Sequence, residues 1–145
     1  MNKNIDINIV LLNKEAKLPE KQHELDIGYD LFSLNSYELL PNKVTRIETG
    51  ICIELPQSFA GFILPRSGLA SKHSITSINS PGLVDPGYTG EIIIPLINHS
   101  KETYILNKGE RFAQLVVINV ENINFNIVNE LDETDRSDKG FGSTG

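Results

Sequence analysis

Apolar residues in this chain recur at every second position in one segment after another, and that period restricts the fold to one built from β-strands. Ile5, Ile7 and Ile9 alternate with Asp6 and Asn8; Ile51, Ile53 and Leu55 with Cys52 and Glu54; Ile123, Phe125 and Ile127 with Asn124 and Asn126. Successive side chains of a strand face opposite ways, so alternation marks a sheet with one face covered. The runs GFILP, EIIIPLIN and RFAQLVVINV are more continuously apolar, the pattern of strands covered on both faces. Turn formers separate the runs at Pro41-Asn42, Asp85-Pro86-Gly87 and Asn107-Lys108-Gly109. Many short strands with frequent turns predict an all-β sandwich or barrel. One short helix is expected in SGLASKHSI, with Ser67 as its cap.

A chain of 145 residues, 39% hydrophobic, is expected to form one domain that buries roughly 68–70% of its unfolded surface. No repeat, low-complexity tract or linker divides it. Cys52 is the single cysteine, so no internal disulfide framework exists and a reducing compartment is expected. Its place in an alternating strand suits a core or interface thiol. No apolar run approaches the roughly 20 residues of a membrane span. MNKNIDINIV lacks the apolar stretch and cleavage site of a signal peptide. A soluble cytoplasmic protein (nuclear as an alternative in a eukaryote) with no membrane partner is therefore expected. The formal net charge of -6 argues against a general nucleic-acid binder, which needs a basic surface. A small phosphorylated ligand remains compatible, given local Arg and Lys, a metal ion, or both. His23, His73 and His99 have no Cys or His neighbour at ligand spacing, so no zinc site is expected.

Five stretches differ from plain strand and turn. DIGYDLFS places Asp30 in an apolar strand pattern, where an acid must be exposed, paired or near a cation. LPRSGLASK gathers Arg66, Ser67, Gly68 and Lys72 around a helix start, where amides, a hydroxyl and a guanidinium suit phosphate oxygens. INSPGLVDPGYTGE reads as a β-hairpin carrying Asn79, Asp85 and Tyr88, with Glu91 expected to be solvated. KGERFAQLVV puts Arg111 and Gln114 at the start of an apolar strand, where Gln114 needs a partner. RSDKGFGSTG has neither strand nor helix period, and suits either a frayed terminus or an arm that orders over a ligand. Taken alone, the helix start is equally compatible with an ordinary cap and surface charge, and the other stretches are better explained by ordinary turns, strand edges and a loose terminus.

Together and in this order, these stretches resemble the five motifs of the trimeric dUTP diphosphatases (dUTPases). The resemblance runs from about residue 24 to residue 145, and PRSGLA, RFAQLV and the closing GFGSTG are its most specific parts. It implies a jelly-roll-like β-barrel over residues 1–135, with one short helix and a mobile arm over 136–145 that closes on a neighbouring subunit's site. It also implies a homotrimer with shared active sites, and Mg²⁺-assisted hydrolysis of dUTP to dUMP and pyrophosphate. That reaction keeps uracil out of DNA and supplies dUMP for thymidylate synthesis.

By the same resemblance Asp85 is the general base that activates water for attack on the α-phosphorus. Arg66, Ser67, Gly68 and Gln114 bind phosphates, and Arg136 binds the terminal one. Asp30 is expected near the waters around the metal rather than as a direct ligand, with Mg²⁺ held mainly by substrate phosphates. Asn79 and the backbone of Gly82, Leu83 and Val84 read uracil, while Tyr88 lies under the deoxyribose and excludes a 2′-hydroxyl. Phe141 stacks on the base, Gly142 lets the arm wrap, and Ser143 and Thr144 add phosphate hydrogen bonds. VDPGYTG departs from many relatives in its rigid Pro86-Gly87, which keeps the spacing. The same DPGY is similar to the dCTP deaminases, but Pro95 stands where their catalytic Glu is expected and cannot transfer a proton. A non-catalytic regulatory protein of the same fold is the other alternative, and it has no need of Asp85, Arg66 and the tail together.

Overall fold

The structure, a computed structural model, describes residues 4–142. In chain order its elements are β1 (Asn8–Leu11), β2 (Tyr29–Phe32), β3 (Tyr37–Leu39), β4 (Val44–Glu54), β5 (Phe59–Pro65), α1 (Ser67–His73), β6 (Ile75–Ser77), β7 (Gly82–Val84), β8 (Glu91–Asn98), β9 (Tyr104–Leu106) and β10 (Arg111–Asn119). They form two four-stranded sheets, ordered β1-β4-β8-β6 and β2-β10-β5-β7, and a small β3-β9 pair. Every pairing is antiparallel.

Buried residues of both large sheets share one core. Ile47, Ile51, Ile94 and Leu96 of the first sheet join Leu31, Ile63, Phe112 and Leu115 of the second. The all-β, jelly-roll-like arrangement expected of the sequence is present. Its ladders stay open and do not close into a barrel, because each sheet ends on short edge strands, β6 and β7 being three residues long.

Three local expectations need correction. β8 alternates strictly between buried and half-buried residues, so its second face is only partly covered. Ser67 does not cap α1 but is its first residue. Arg66 stands at the N-cap with extended backbone and no capping side-chain bond, because β5 runs almost directly into the helix. The alternating segment around residues 123–127 forms no strand. Ile123, Phe125 and Ile127 are 69%, 88% and 101% exposed. Alternation specifies a face that needs covering, and among the described residues nothing covers this one.

Candidate active site

The second sheet builds a groove rich in cationic and amide groups. Gln114 on β10 stands opposite Asp30 of β2 on one side and Leu64 of β5 on the other. Asp30 is only 8% exposed, and both carboxylate oxygens are engaged. Oδ1 lies 3.2 Å from Arg66 Nε, and Oδ2 accepts from Arg111 Nη1 at 3.4 Å. Arg66 Nη1 also donates to the Arg111 carbonyl at 3.2 Å, tying the two arginines together. The acid in an apolar strand is thus paired, as its burial demands. Its backbone is pinned as well: the Asp30 N–H donates to the Glu20 carbonyl at 2.7 Å, and the Asp30 carbonyl accepts the Glu20 N–H at 3.2 Å.

Gln114 meets its need for a partner by donating from Nε2 to the Pro65 carbonyl at 3.0 Å. Its side chain packs on Gly28, where any Cβ would sit 2.1 Å from Gln114 Oε1. The resulting groove, about 950 Å³, is lined by Asp30, Arg66, Ser67, Gly68, Arg111 and Gln114 among others. The leading amides of α1 have no intrahelical partners, and no capping side chain takes them up beside Arg66 and Ser67. Arg111, to which the motifs assign no role, belongs to this set.

A second cavity, about 190 Å³, is lined by Asn79, Gly82, Leu83, Val84, Asp85 and Tyr88, together with parts of β8. The expected β-hairpin is not there. β7 pairs with β5, and β8 with β4 and β6, so the 85–90 turn carries the chain from one sheet to the other. An Asp-Pro-Gly turn fixes a reversal and leaves the partner strand unspecified. Tyr88 N–H closes that turn on the Asp85 carbonyl at 3.0 Å, leaving the Asp85 side chain exposed. Ser77 Oγ donates to Asn79 Oδ1 at 2.9 Å. The Tyr88 hydroxyl donates to the Glu91 carbonyl at 2.8 Å, and the ring folds over Gly90, whose missing Cβ leaves it room. Glu91 is not simply solvated. Its carboxylate accepts the Gly50 N–H at 2.8 Å.

The two cavities share no lining residue. The residues expected to bind phosphate and those expected to read the base and sugar are therefore grouped separately within the chain. The arm joins neither group. Arg136 Nε donates to the Lys139 carbonyl at 3.1 Å, Phe141 is fully exposed, and Gly142 has φ +81°. Ser143 and Thr144 lie outside the described residues. His73 packs against Tyr104 with ring centroids 4.7 Å apart and planes tilted by 54°, a structural contact.

Among the described residues no three His, Cys, Asp or Glu side chains gather as a metal site. The groove offers two carboxylates, the buried Asp30 and the half-buried Asp26, amid guanidinium, hydroxyl and amide groups. That set fits a hard cation held mostly by substrate oxygens and water, with a carboxylate lone pair to spare for a bound water. No helix among the described residues is long and apolar enough to cross a membrane.

Comparison with known proteins matches this arrangement. The family model described as dUTPase matches residues 14–145. A deoxyuridine 5'-triphosphate nucleotidohydrolase of Alkaliphilus metalliredigens is 48% identical over 97% of both chains. One of Clostridioides difficile is 43% identical over 97% of this chain and 98% of its own. Among solved structures, a Staphylococcus bacteriophage 80alpha dUTPase with dUPNHPP superposes with a TM-score of 0.87 at 29% identity, covering 98% of this chain and 99% of that one. A mutant dUTPase of S. aureus phage phi11, whose structure describes a structural Mg(II) ion, gives 0.82 at 26% identity over 89% and 100%.

Proposed function

The chain belongs to the dUTPase family, and from that membership we propose how its residues divide the work of hydrolysing dUTP to dUMP and pyrophosphate. Asp85 takes a proton from water as the water oxygen bonds to the α-phosphorus. The bond from that phosphorus to the α–β bridging oxygen breaks, and pyrophosphate leaves. Arg66, Arg111, Ser67 and Gln114 bind the phosphates, and Gly68 lets the backbone approach them. Asp30 keeps the two guanidiniums facing the groove and has lone pairs left for water near the metal. When bound, Mg²⁺ neutralises charge on the triphosphate. Asn79 and the Gly82–Val84 backbone read uracil, and Tyr88 supports the sugar and excludes a ribose. The arm brings Arg136 to the terminal phosphate, Phe141 to the base, and Ser143 and Thr144 to the phosphates, with Gly142 as a pivot. Ordering it costs entropy, so closure follows nucleotide binding.

The protein works as a homotrimer with shared sites. The separation of the two cavities carries this reading, since Asp85 and Arg66 of one chain open on different spaces. A neighbouring copy supplies the missing half. The uncovered Ile123, Phe125 and Ile127 support the same assembly, because a second chain is the natural cover for them. A cytoplasmic setting accords with the free Cys52. The deciding experiment is pyrophosphate release with Mg²⁺ from dUTP beside dCTP, dTTP and UTP. Release from dUTP alone is expected. No release from any of them by the folded protein would leave a non-catalytic relative.

A further inference from the structure

We propose that Glu91 is a positioning residue for the sugar end of the site, acting through Tyr88 and anchored on a bulge of β4. The proposal rests on the reading of Tyr88 as the sugar support. Pairing between β4 and β8 is regular up to Glu48↔Ile93 and resumes at Cys52↔Glu91. Residues 49–51 of β4 therefore stand opposite Ile92 alone, a bulge of the kind that redirects a strand end.

Side chains replace the broken ladder. The Thr49 hydroxyl donates to the Ile92 carbonyl at 2.6 Å and accepts the Ile51 N–H at 3.4 Å. Gly50, at φ +70°, has its N–H taken by Glu91 Oε1 at 2.8 Å, while its carbonyl accepts the Leu12 N–H at 2.8 Å. Glu91 thus holds the buried bulge with its carboxylate and the Tyr88 hydroxyl with its own carbonyl. The bulge sits in the core layer, so the tether refers an exposed ring to a rigid part of the fold. Without it the Gly50 N–H is left buried and unpaired, and Glu91, at the start of β8 under Tyr88, is held to β4 only by its pairing with Cys52.

The test measures kcat/KM for dUTP and for UTP, with Mg²⁺, on wild type, Glu91→Ala, Glu91→Gln, Glu91→Asp and Thr49→Val. Glu91→Ala is expected to lower the dUTP-to-UTP ratio about tenfold, the scale of one lost buried hydrogen bond. Glu91→Gln keeps an acceptor oxygen at full reach and should keep the ratio. Glu91→Asp keeps the charge but falls one methylene short, so it should lose the ratio as alanine does, and it serves where the alanine variant fails to fold. Thr49→Val should lower the melting temperature and leave the ratio in place. The proposal is overturned if Glu91→Ala and Glu91→Asp lose stability with the ratio intact, if Glu91→Gln fails as badly as alanine, or if Thr49→Val moves the ratio equally. Wild type that hydrolyses no dUTP sinks the dUTPase reaction instead, a separate outcome.

Discussion

Alanine at position 28 would bring its Cβ within 2.1 Å of Gln114 Oε1 and push that amide off the Pro65 carbonyl. Gly28→Ala should therefore raise KM for dUTP about tenfold with kcat nearly unchanged, the signature of lost ground-state binding. Asp85→Asn keeps the size of a surface side chain and removes the base. It should retain dUTP binding while kcat falls roughly 10²–10⁴-fold, and loss of binding together with folding would make Asp85 structural. Tyr104 offers a check on pH. Burial first, then its hydrogen bond to Glu110 Oε1 at 2.5 Å and the Glu110 charge, push its hydroxyl up to about 12 from 10.0. The folded state holds this proton more tightly than the unfolded one, so the contribution is complete below about pH 10 and disappears as pH rises toward 12. Denaturant titrations should show wild type losing more stability than Tyr104→Phe between pH 9.5 and 12. Most candidate residues that line the two cavities were legible at this scale, because phosphate and base recognition would need particular residue types at fixed spacing. Arg111 was not. A strand places residues three apart on opposite faces, but a register shift between Arg111 and Ala113 turns Phe112 and Ala113 both into the core and brings Arg111 to the Gln114 side. Nothing in RFAQ announces a bulge.

At the scale of elements, the C-terminal segments are the least attached parts of the described chain. Residues 136–142 contribute nothing to the core. Deleting 136–145 should leave the melting temperature within a degree or two, in line with the small effect of removing exposed chain, while hydrolysis falls steeply. Full activity in the truncated protein would refute a closing arm. The strands themselves were mostly legible from their two-residue period. What the period could not supply was partnership. GLV at 82–84 was readable as extended chain, yet its ladder lies with β5 and not with the strand that follows the turn. Likewise INFNI at 123–127 alternates as a good strand should and is paired with nothing among the described residues. Periodicity reports that a face is to be covered; which surface covers it depends on contacts distant in sequence or outside the molecule.

For the molecule as a whole, the proposed homotrimer with shared sites makes a prediction that can be read genetically. An Asp85→Asn subunit keeps its Arg66 groove, and an Arg66→Ala subunit keeps its Asp85 turn. Each homotrimer should be nearly inactive, because every site repeats the same defect. In trimers assembled from an equal mixture, a site that draws its groove from the first type and its turn from the second is intact, and random assortment makes that roughly one site in four. Unfolding and refolding the two inactive proteins together should therefore restore about a quarter of wild-type turnover, whereas mixing them as preformed trimers should restore none. A cell carrying both alleles would grow as though only partly impaired, although neither allele alone encodes a working enzyme. Absence of rescue after co-refolding would place a complete site within each subunit.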